Sequence, residues 1–467
     1  MVHQYKLNGY NIVIDVYSGS VHSVDEVAYD LIALFEGNTR LQVLEQMVEK
    51  YPGIDRAELE ACYDDVQALK DEGLLFAEDV YSDKADILKT KNDVIKALCL
   101  HVAHTCNLNC DYCFASQGKY QGDRALMSFE VGKRALDFLI ENSGTRVNLE
   151  VDFFGGEPLM NWDVVKQLVE YGRSREQECH KRFRFTLTTN GVLIDDDVID
   201  FCNKEMHNVV LSLDGRKKVH DRLRKNMAGE GSYDKIVPKF KKLVDSRGGE
   251  GYYVRGTFTR ENLDFAQDVL HMGDLGFRHV SVEPASGPLD DPFAIKEEDL
   301  AAVEAEYEKL ARELMDRPDI NFFHFNVDLA QGPCVIKRLR GCGAGCEYVA
   351  ITPDGDIYPC HQFVGKEEYR MGNVFDGSFD MEISGTFAEQ NIYTRPACRE
   401  CWARFYCSGG CSASNLLVNG DITKSNEVAC KMERKRLECA IALNAIAAGM
   451  GNTTGGKTQC NLCDACD

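Results

Sequence analysis

The first fifth of the chain changes its hydrophobic period once. HQYKL and YNIVIDVY alternate apolar and polar residues about Asn8-Gly9, the signature of a two-residue hairpin turn. After them, SVDEVAYDLIALFEG, TRLQVLEQMVEKY and DRAELEACYDDVQALKDEG place apolar residues three or four apart. They predict three helices that open on the capping residues Ser23, Thr39 and Asp55. From about 95 to 325 strands and helices alternate. ALCLHVA, VNLEVDFF, RFRFTLTT, NVVLSLD, YYVRGTFT and HVSVEP each read as a strand, followed by a turn and a helical stretch such as DVVKQLVEYGRSREQE. Six such units predict parallel strands closed, or partly closed, into a barrel whose chemistry collects at the C-terminal strand ends. Past 330 the texture turns to loops dense in cysteine. VACKMERKRLECAIALNAIAA predicts a last amphipathic helix ahead of a Gly/Thr linker and the tail QCNLCDACD.

Composition sharpens this picture. A chain of 467 residues with 44% hydrophobic residues builds two or three domains rather than one. The expected division is a strand-and-helix module over 1–85, the barrel over 95–325, a loop-rich region over 330–450 and a flexible tail over 451–467. No run of about eighteen uncharged apolar residues occurs, and MVHQYKLNGYNIVIDVY lacks the basic-then-apolar order of a secretory signal, so a cytoplasmic protein without membrane association is expected. The formal charge of −22 argues against a nucleic-acid partner, which needs clustered Lys and Arg. Residues 1–85 hold seventeen acidic and six basic side chains, half of the whole excess. That density is either a solvated surface or a docking site for a basic peptide. Twenty cysteines in a large chain of this kind point to metal or redox chemistry rather than disulfides.

The candidate chemistry begins at CNLNCDYC, where Cys106, Cys110 and Cys113 follow the first barrel strand at C-x3-C-x2-C spacing. Structural zinc takes four ligands, and His101 or His104 would have to supply the fourth. A 4Fe-4S cubane held by three cysteines instead leaves one iron open to a small molecule. Four other strand ends carry polar groups: Gly155-Gly156-Glu157-Pro158, Thr188-Thr189-Asn190-Gly191, Ser212-Leu213-Asp214-Gly215 with His220, Asp221 and Arg224 behind it, and Glu283-Pro284. A glycine pair at a strand end lets backbone approach a ligand closely. Arg255 on the fifth strand offers a guanidinium that matches a carboxylate bidentately, or else an outward salt bridge. Farther on, Cys342, Cys346 and Cys360, then Cys398, Cys401, Cys407, Cys411 and Cys430, are eight thiols able to hold two four-thiolate sites, with paired zinc ribbons as the alternative. Cys62, Cys99, Cys179, Cys202 and Cys439 read as packing residues, Cys334 as no ligand, and Cys460, Cys463 and Cys466 as an unstructured thiol-rich end.

The C-x3-C-x2-C loop with Tyr112 before its last cysteine, at the end of the first barrel strand, resembles the radical S-adenosylmethionine (SAM) superfamily. The resemblance implies a cluster on Cys106, Cys110 and Cys113 whose open iron takes the amino and carboxylate groups of SAM. It implies SAM contacts from Tyr112 and Asn190, from Gly155, Gly156 and Glu157 for the amino group, from Ser212 and Asp214 for ribose and carboxylate, and from Arg255 for the carboxylate. Glu283 falls near the adenine. The second cysteine field resembles the SPASM extension, with two auxiliary 4Fe-4S clusters and thus three clusters in all. That pattern implies Cys342 or Cys346 with Cys360 and Cys411 for the first, and Cys398, Cys401, Cys407 and Cys430 for the second. Eight residues separate Cys346 from Gly355 and twelve separate Cys342 from it, so either or both can ligate.

Over nearly the whole chain the arrangement is similar to peptide maturases that install thioether links, above all those of six-cysteines-in-forty-five-residues (SCIFF) peptides. The runs CNLNCDYCFASQGKY and GCGAGCEYVAITPDGDIYPCHQFVG carry that likeness. It implies a winged-helix-like leader-recognition module at the front, a Cys-rich precursor peptide as partner, and a ferredoxin or flavodoxin type of electron donor. The product implied is a Cys sulfur bonded to carbon of an acceptor residue, with Thr suggested. Formylglycine formation of the anaerobic sulfatase-maturating type and carbon–carbon cross-linking are the rival enzyme classes. An electron carrier or a zinc-dependent DNA-binding regulator is the rival binding class, opposed by the acidic front module and by strand-end motifs that a carrier has no use for.

Overall fold

The computed structural model describes residues 1–82, 94–120, 122–329 and 339–449. Cys334 and the three tail cysteines lie outside the described residues. At the front, β1 (Val2–Leu7), β2 (Tyr10–Asp15) and β3 (Val21–Val24) form an antiparallel sheet in that order. The β1–β2 turn is tight because Asn8 and Gly9 both adopt positive φ, 50° and 84°. Alternation along β2 sends Val13 into a core shared with helices 26–35, 40–50 and 56–71, and sends Ile12 and Ile14 into the main core of the molecule. The sheet is thus apolar on both faces and sandwiched between its own helices and the rest of the chain. Thr39 and Asp55 cap their helices as expected, but Ser23 does not. It is consumed by β3, paired with Ile12, and Asp25 caps the first helix by accepting from Ala28 N at 2.8 Å. The four-residue strand β3 was too short to read in the sequence.

All six expected barrel strands are present: β4 (Ala97–His104), β7 (Asn148–Gly155), β8 (Arg182–Thr189), β9 (Met206–Ser212), β11 (Tyr252–Phe258) and β12 (His279–Pro284). They run parallel and lie side by side in chain order. Short β13 (Asn321–Phe322) extends the β12 edge. Three small pieces belong to the strand-end loops: β5 (Leu108–Cys110), β6 (Ala125–Leu126) and β10 (Arg224–Asn226). The other edge is extended by the loop-rich region. There β14 (Tyr348–Ile351) pairs parallel with β4, and β15 (Asp356–Tyr358) and β16 (Gly372–Asn373) follow antiparallel. The fold is α/β with an open, partial barrel, and the cysteine-rich region continues its sheet.

Parallel strands buried on both faces are usually apolar throughout. Here only one face is. Val151, Phe153, Phe185, Leu187, Val209, Leu211 and Val254 are fully buried against the helices. The intervening Asp152, Thr186, Thr188, Ser212, Arg255 and Glu283 face the other way and stay partly exposed. That polar, accessible face is the lumen of the partial barrel. The last helix, Glu427–Ala447, packs along helix 300–315 and receives the front sheet through Tyr5, whose hydroxyl donates to the Glu438 carbonyl at 2.8 Å. Among the described residues no helix is long and apolar enough to cross a membrane.

Candidate active site

The cysteine loop is built by short-range pairing. After β4, β5 places Cys110 opposite Arg224 of β10 in a small antiparallel ribbon, and Asp111 N donates to the Leu223 carbonyl at 3.0 Å. A second clamp comes from the glycine pair. Gly156 N donates to the Ala103 carbonyl at 2.7 Å and Glu157 N to the Thr105 carbonyl at 2.9 Å. A Cβ on Gly155 would stand 2.3 Å from the Ala103 oxygen, and one on Gly156 2.2 Å from the Thr105 oxygen. The close approach that requires glycine is therefore to the chain's own cysteine loop.

Glu157 is fully buried, and its carboxylate accepts from Leu159 N, Thr189 Oγ1 and Asn190 N at 2.8–3.0 Å. Burial raises its pKa to about 7 against those bonds. It ties the ends of β7 and β8 together, and Asn190, held by it, turns Nδ2 towards Cys106 Sγ at 3.6 Å and Asn107 Oδ1 at 2.7 Å. On the other side of the loop Tyr112 donates to Asp214 Oδ2 at 2.7 Å and accepts from Arg224 Nη1 at 2.8 Å. Asp214 also accepts from Thr257 N at 3.0 Å and pairs with Arg224 at 3.3 Å, both side chains deeply buried. Burial pushes the Cys106 and Cys110 thiols up to about 11 and 12, and the Arg224 guanidinium pulls both down. Arg224 had no assigned role in the sequence reading; it followed the Asp214 motif by ten residues with nothing to distinguish it from a surface arginine.

The remaining predicted contacts split. Ser212 lies opposite Arg255 in the β9–β11 ladder, and Arg255 forms an ion pair with Glu283, both about 40% exposed on the lumen face. The two residues expected to meet different parts of one ligand hold each other. His324 stands 3.7 Å from Glu283 and hydrogen bonds Ser281 at 3.0 Å. His101 and His104 are engaged with each other at 3.0 Å and stack on Tyr120, and burial lowers both pKa values.

Asp152 was not anticipated. Its Oδ1 accepts from Thr188 Oγ1 at 3.1 Å, and burial raises the carboxyl to about 7. Since the ordinary value is near 3.9, the folded chain binds more protons than the unfolded one between about pH 4 and 7, and stability is lost as pH rises through that window. Asp152→Asn keeps an acceptor for Thr188 and removes that loss. The variant is expected to melt higher than the parent at pH 8 and no higher at pH 4; equal differences at both pH values would refute the assignment.

In the second field the thiols fall into two groups. Cys342, Cys360 and Cys411 act on one another electrostatically, as do Cys398, Cys401, Cys407 and Cys430. Cys346 is buried, its thiol donating to the Gly343 carbonyl at 3.5 Å. A narrow crevice is lined by Cys342, Cys346, Arg340 and Arg395 and by no carboxylate. That donor set fits an anionic cluster. Among the described residues no three His, Cys, Asp or Glu side chains converge on a single-metal site.

A model of the radical SAM superfamily matches residues 100–272, and a model of the SPASM iron–sulfur cluster-binding domain matches residues 342–402. The chain carries a radical SAM domain and a SPASM domain. These domains imply SAM and iron–sulfur clusters. A cysteine-type anaerobic sulfatase-maturating enzyme of Clostridium novyi (strain NT) is 25% identical over 66% of this chain and 84% of its own length. The mycofactocin maturase of Mycolicibacterium smegmatis is 29% identical over 69% and 79%. In fold, the radical SAM and SPASM parts resemble anSMEcpe with bound AdoMet, at a TM-score of 0.64 and 19% identity over 76% of this chain and 95% of that one. SuiB of Streptococcus suis bound to S-adenosylmethionine covers 91% of this chain and 98% of its own, at a TM-score of 0.54 and 19% identity.

Proposed function

We propose that this radical SAM enzyme is a peptide maturase that joins a Cys sulfur to an acceptor carbon, with Thr the favoured acceptor, in a Cys-rich precursor peptide. The observation that carries the reading is the placement of an open-ended three-cysteine loop at the rim of a polar, accessible lumen, next to a second field of seven grouped thiols. Cys106, Cys110 and Cys113 would hold the SAM-binding cluster, Cys342, Cys360 and Cys411 the first auxiliary cluster, and Cys398, Cys401, Cys407 and Cys430 the second. Three thiols in the first auxiliary group leave room for a substrate thiolate as the fourth ligand. Together a reduced cluster and SAM supply one-electron chemistry that removes a hydrogen atom from an unactivated carbon.

The chain's own residues do the rest. Arg224 lowers the cost of thiolates at Cys106 and Cys110, Asn190 donates towards Cys106 Sγ, and Glu157 fixes Asn190. The lumen residues Asp152, Thr188, Arg255 and Glu283 provide the polar wall along which a peptide segment lies. The front module, residues 1–85, would dock the leader, since its acidic surface favours a basic segment and main-chain pairing to a sheet edge supplies affinity. A cytoplasmic ferredoxin or flavodoxin type of protein would deliver the electron. Peptide substrates are consistent with relatives solved with them: anSMEcpe with a Kp18Cys peptide and SuiB with precursor peptide SuiA.

The test is co-expression with a small Cys-rich peptide, followed by mass spectrometry and alkylation. The expected product has lost two hydrogens per link and contains a cysteine sulfur that resists alkylation. A Cys converted to an aldehyde that captures a hydrazide would favour formylglycine formation, which the sulfatase-maturating relative makes the rival. Loss of two hydrogens with every thiol still alkylated would favour a carbon–carbon link.

A further inference from the structure

Arg395 is 3% exposed, and no carboxylate is among its hydrogen-bond acceptors in the described residues. Its guanidinium donates to the Gly409 carbonyl, to Ser412 Oγ at 3.1 Å and to the Ile422 carbonyl at 3.1 Å, and Nε has no partner. Every one of those acceptors is neutral. Burying a guanidinium without a counter-ion is strongly unfavourable. Thiols of both cysteine groups act on its charge, Cys398, Cys407 and Cys430 from one and Cys411 from the other. Arg395 also lines the crevice beside Cys342. It sits three residues ahead of Cys398, yet grips the backbone two residues ahead of Cys411 and the side chain one residue after it.

We propose that Arg395 is the shared counter-charge of the two C-terminal cysteine sites, a positioning residue that holds their loops together and raises the reduction potentials of both clusters. The inference rests on reading those sites as two clusters, and deepens that reading. A four-iron cluster on thiolates is anionic, and its potential depends on net charge, hydrogen bonding and exposure. Adding one electron increases the negative charge without making or breaking a bond. A buried cation beside the site favours the reduced form, and one cation between two sites favours it at both. Each cluster thereby becomes a better acceptor for the electron left over when a carbon–sulfur bond forms.

The test uses the full chain carrying Cys106→Ser, Cys110→Ser and Cys113→Ser, which leaves only the C-terminal clusters, reconstituted anaerobically. Iron content and paramagnetic resonance during a redox titration are compared for Arg395, Arg395→Gln and Arg395→Lys. Gln keeps hydrogen-bond donors without charge, and Lys keeps charge. Gln is expected to lower both potentials by about 59 mV or more, a tenfold change in a one-electron equilibrium, with Lys close to the parent. Unmoved potentials with Gln, movement of only one, or an equal fall with Lys would overturn the proposal. Loss of iron from both variants would overturn it in favour of a purely structural role. A parent that shows fewer than two clusters would defeat the two-cluster reading itself, and the shared counter-charge with it.

Discussion

Serine at Cys106, Cys110 and Cys113 together is expected to abolish deoxyadenosine formation while the chain stays folded and keeps roughly two thirds of its iron, the share of two four-iron clusters out of three. The three thiols sit on one loop, held by the β5–β10 ribbon on one side and the glycine clamp on the other, and the C-terminal thiols belong to a separate set. Serine is nearly isosteric, so both clamps survive. Deoxyadenosine at the parental level in the triple variant would move the chemistry elsewhere, and loss of all iron would show that the two cysteine fields depend on each other.

The second large effect concerns Arg224. Its guanidinium and the Asp214 carboxylate are both buried, and breaking such a pair from one side leaves an uncompensated charge at a cost of about 3–5 kcal/mol. Arg224→Met is therefore expected to lower the melting temperature markedly. Tyr112 loses its donor and Asp214 loses the charge that pulls its raised pKa down. The double variant Arg224→Met, Asp214→Asn removes both charges and should recover most of the loss, which separates a coupled pair from two independent contacts. If the single variant melts within a degree of the parent, the pair does not hold the cysteine loop.

The six strands and their order were legible because each has an apolar run bounded by turn residues, and parallel strands in chain order need only short crossovers. The cysteine spacings were legible for the same reason: ligands of one cluster lie close in sequence. Features that depend on distant partners were not. The sequence showed a glycine pair fit for close approach, but not that its Cβ positions would meet the Ala103 and Thr105 carbonyls some fifty residues earlier. Spacing left Cys342 and Cys346 equivalent, and in the fold both line one crevice. The continuation of the sheet by β14 joins residues some 250 positions apart. Arg395 carries no sequence signal, and Arg224 stood out only as a polar residue behind the Asp214 motif, since an arginine declares its role only through what is buried around it. Asp152 and Thr188 belong to an alternation that reads equally well as a half-buried strand in solvent; their role as lumen wall follows from the partial closure of the sheet.

The most direct measurement of the central claim, that the lumen is where a hydrogen atom leaves a peptide, uses a Cys-rich substrate grown in fully deuterated medium. Incubated anaerobically with the reconstituted enzyme, dithionite and unlabelled SAM, it should yield deoxyadenosine carrying one deuterium in step with cross-linked product. Cross-linked peptide accompanied by unlabelled deoxyadenosine, or no deoxyadenosine at all, would contradict the account.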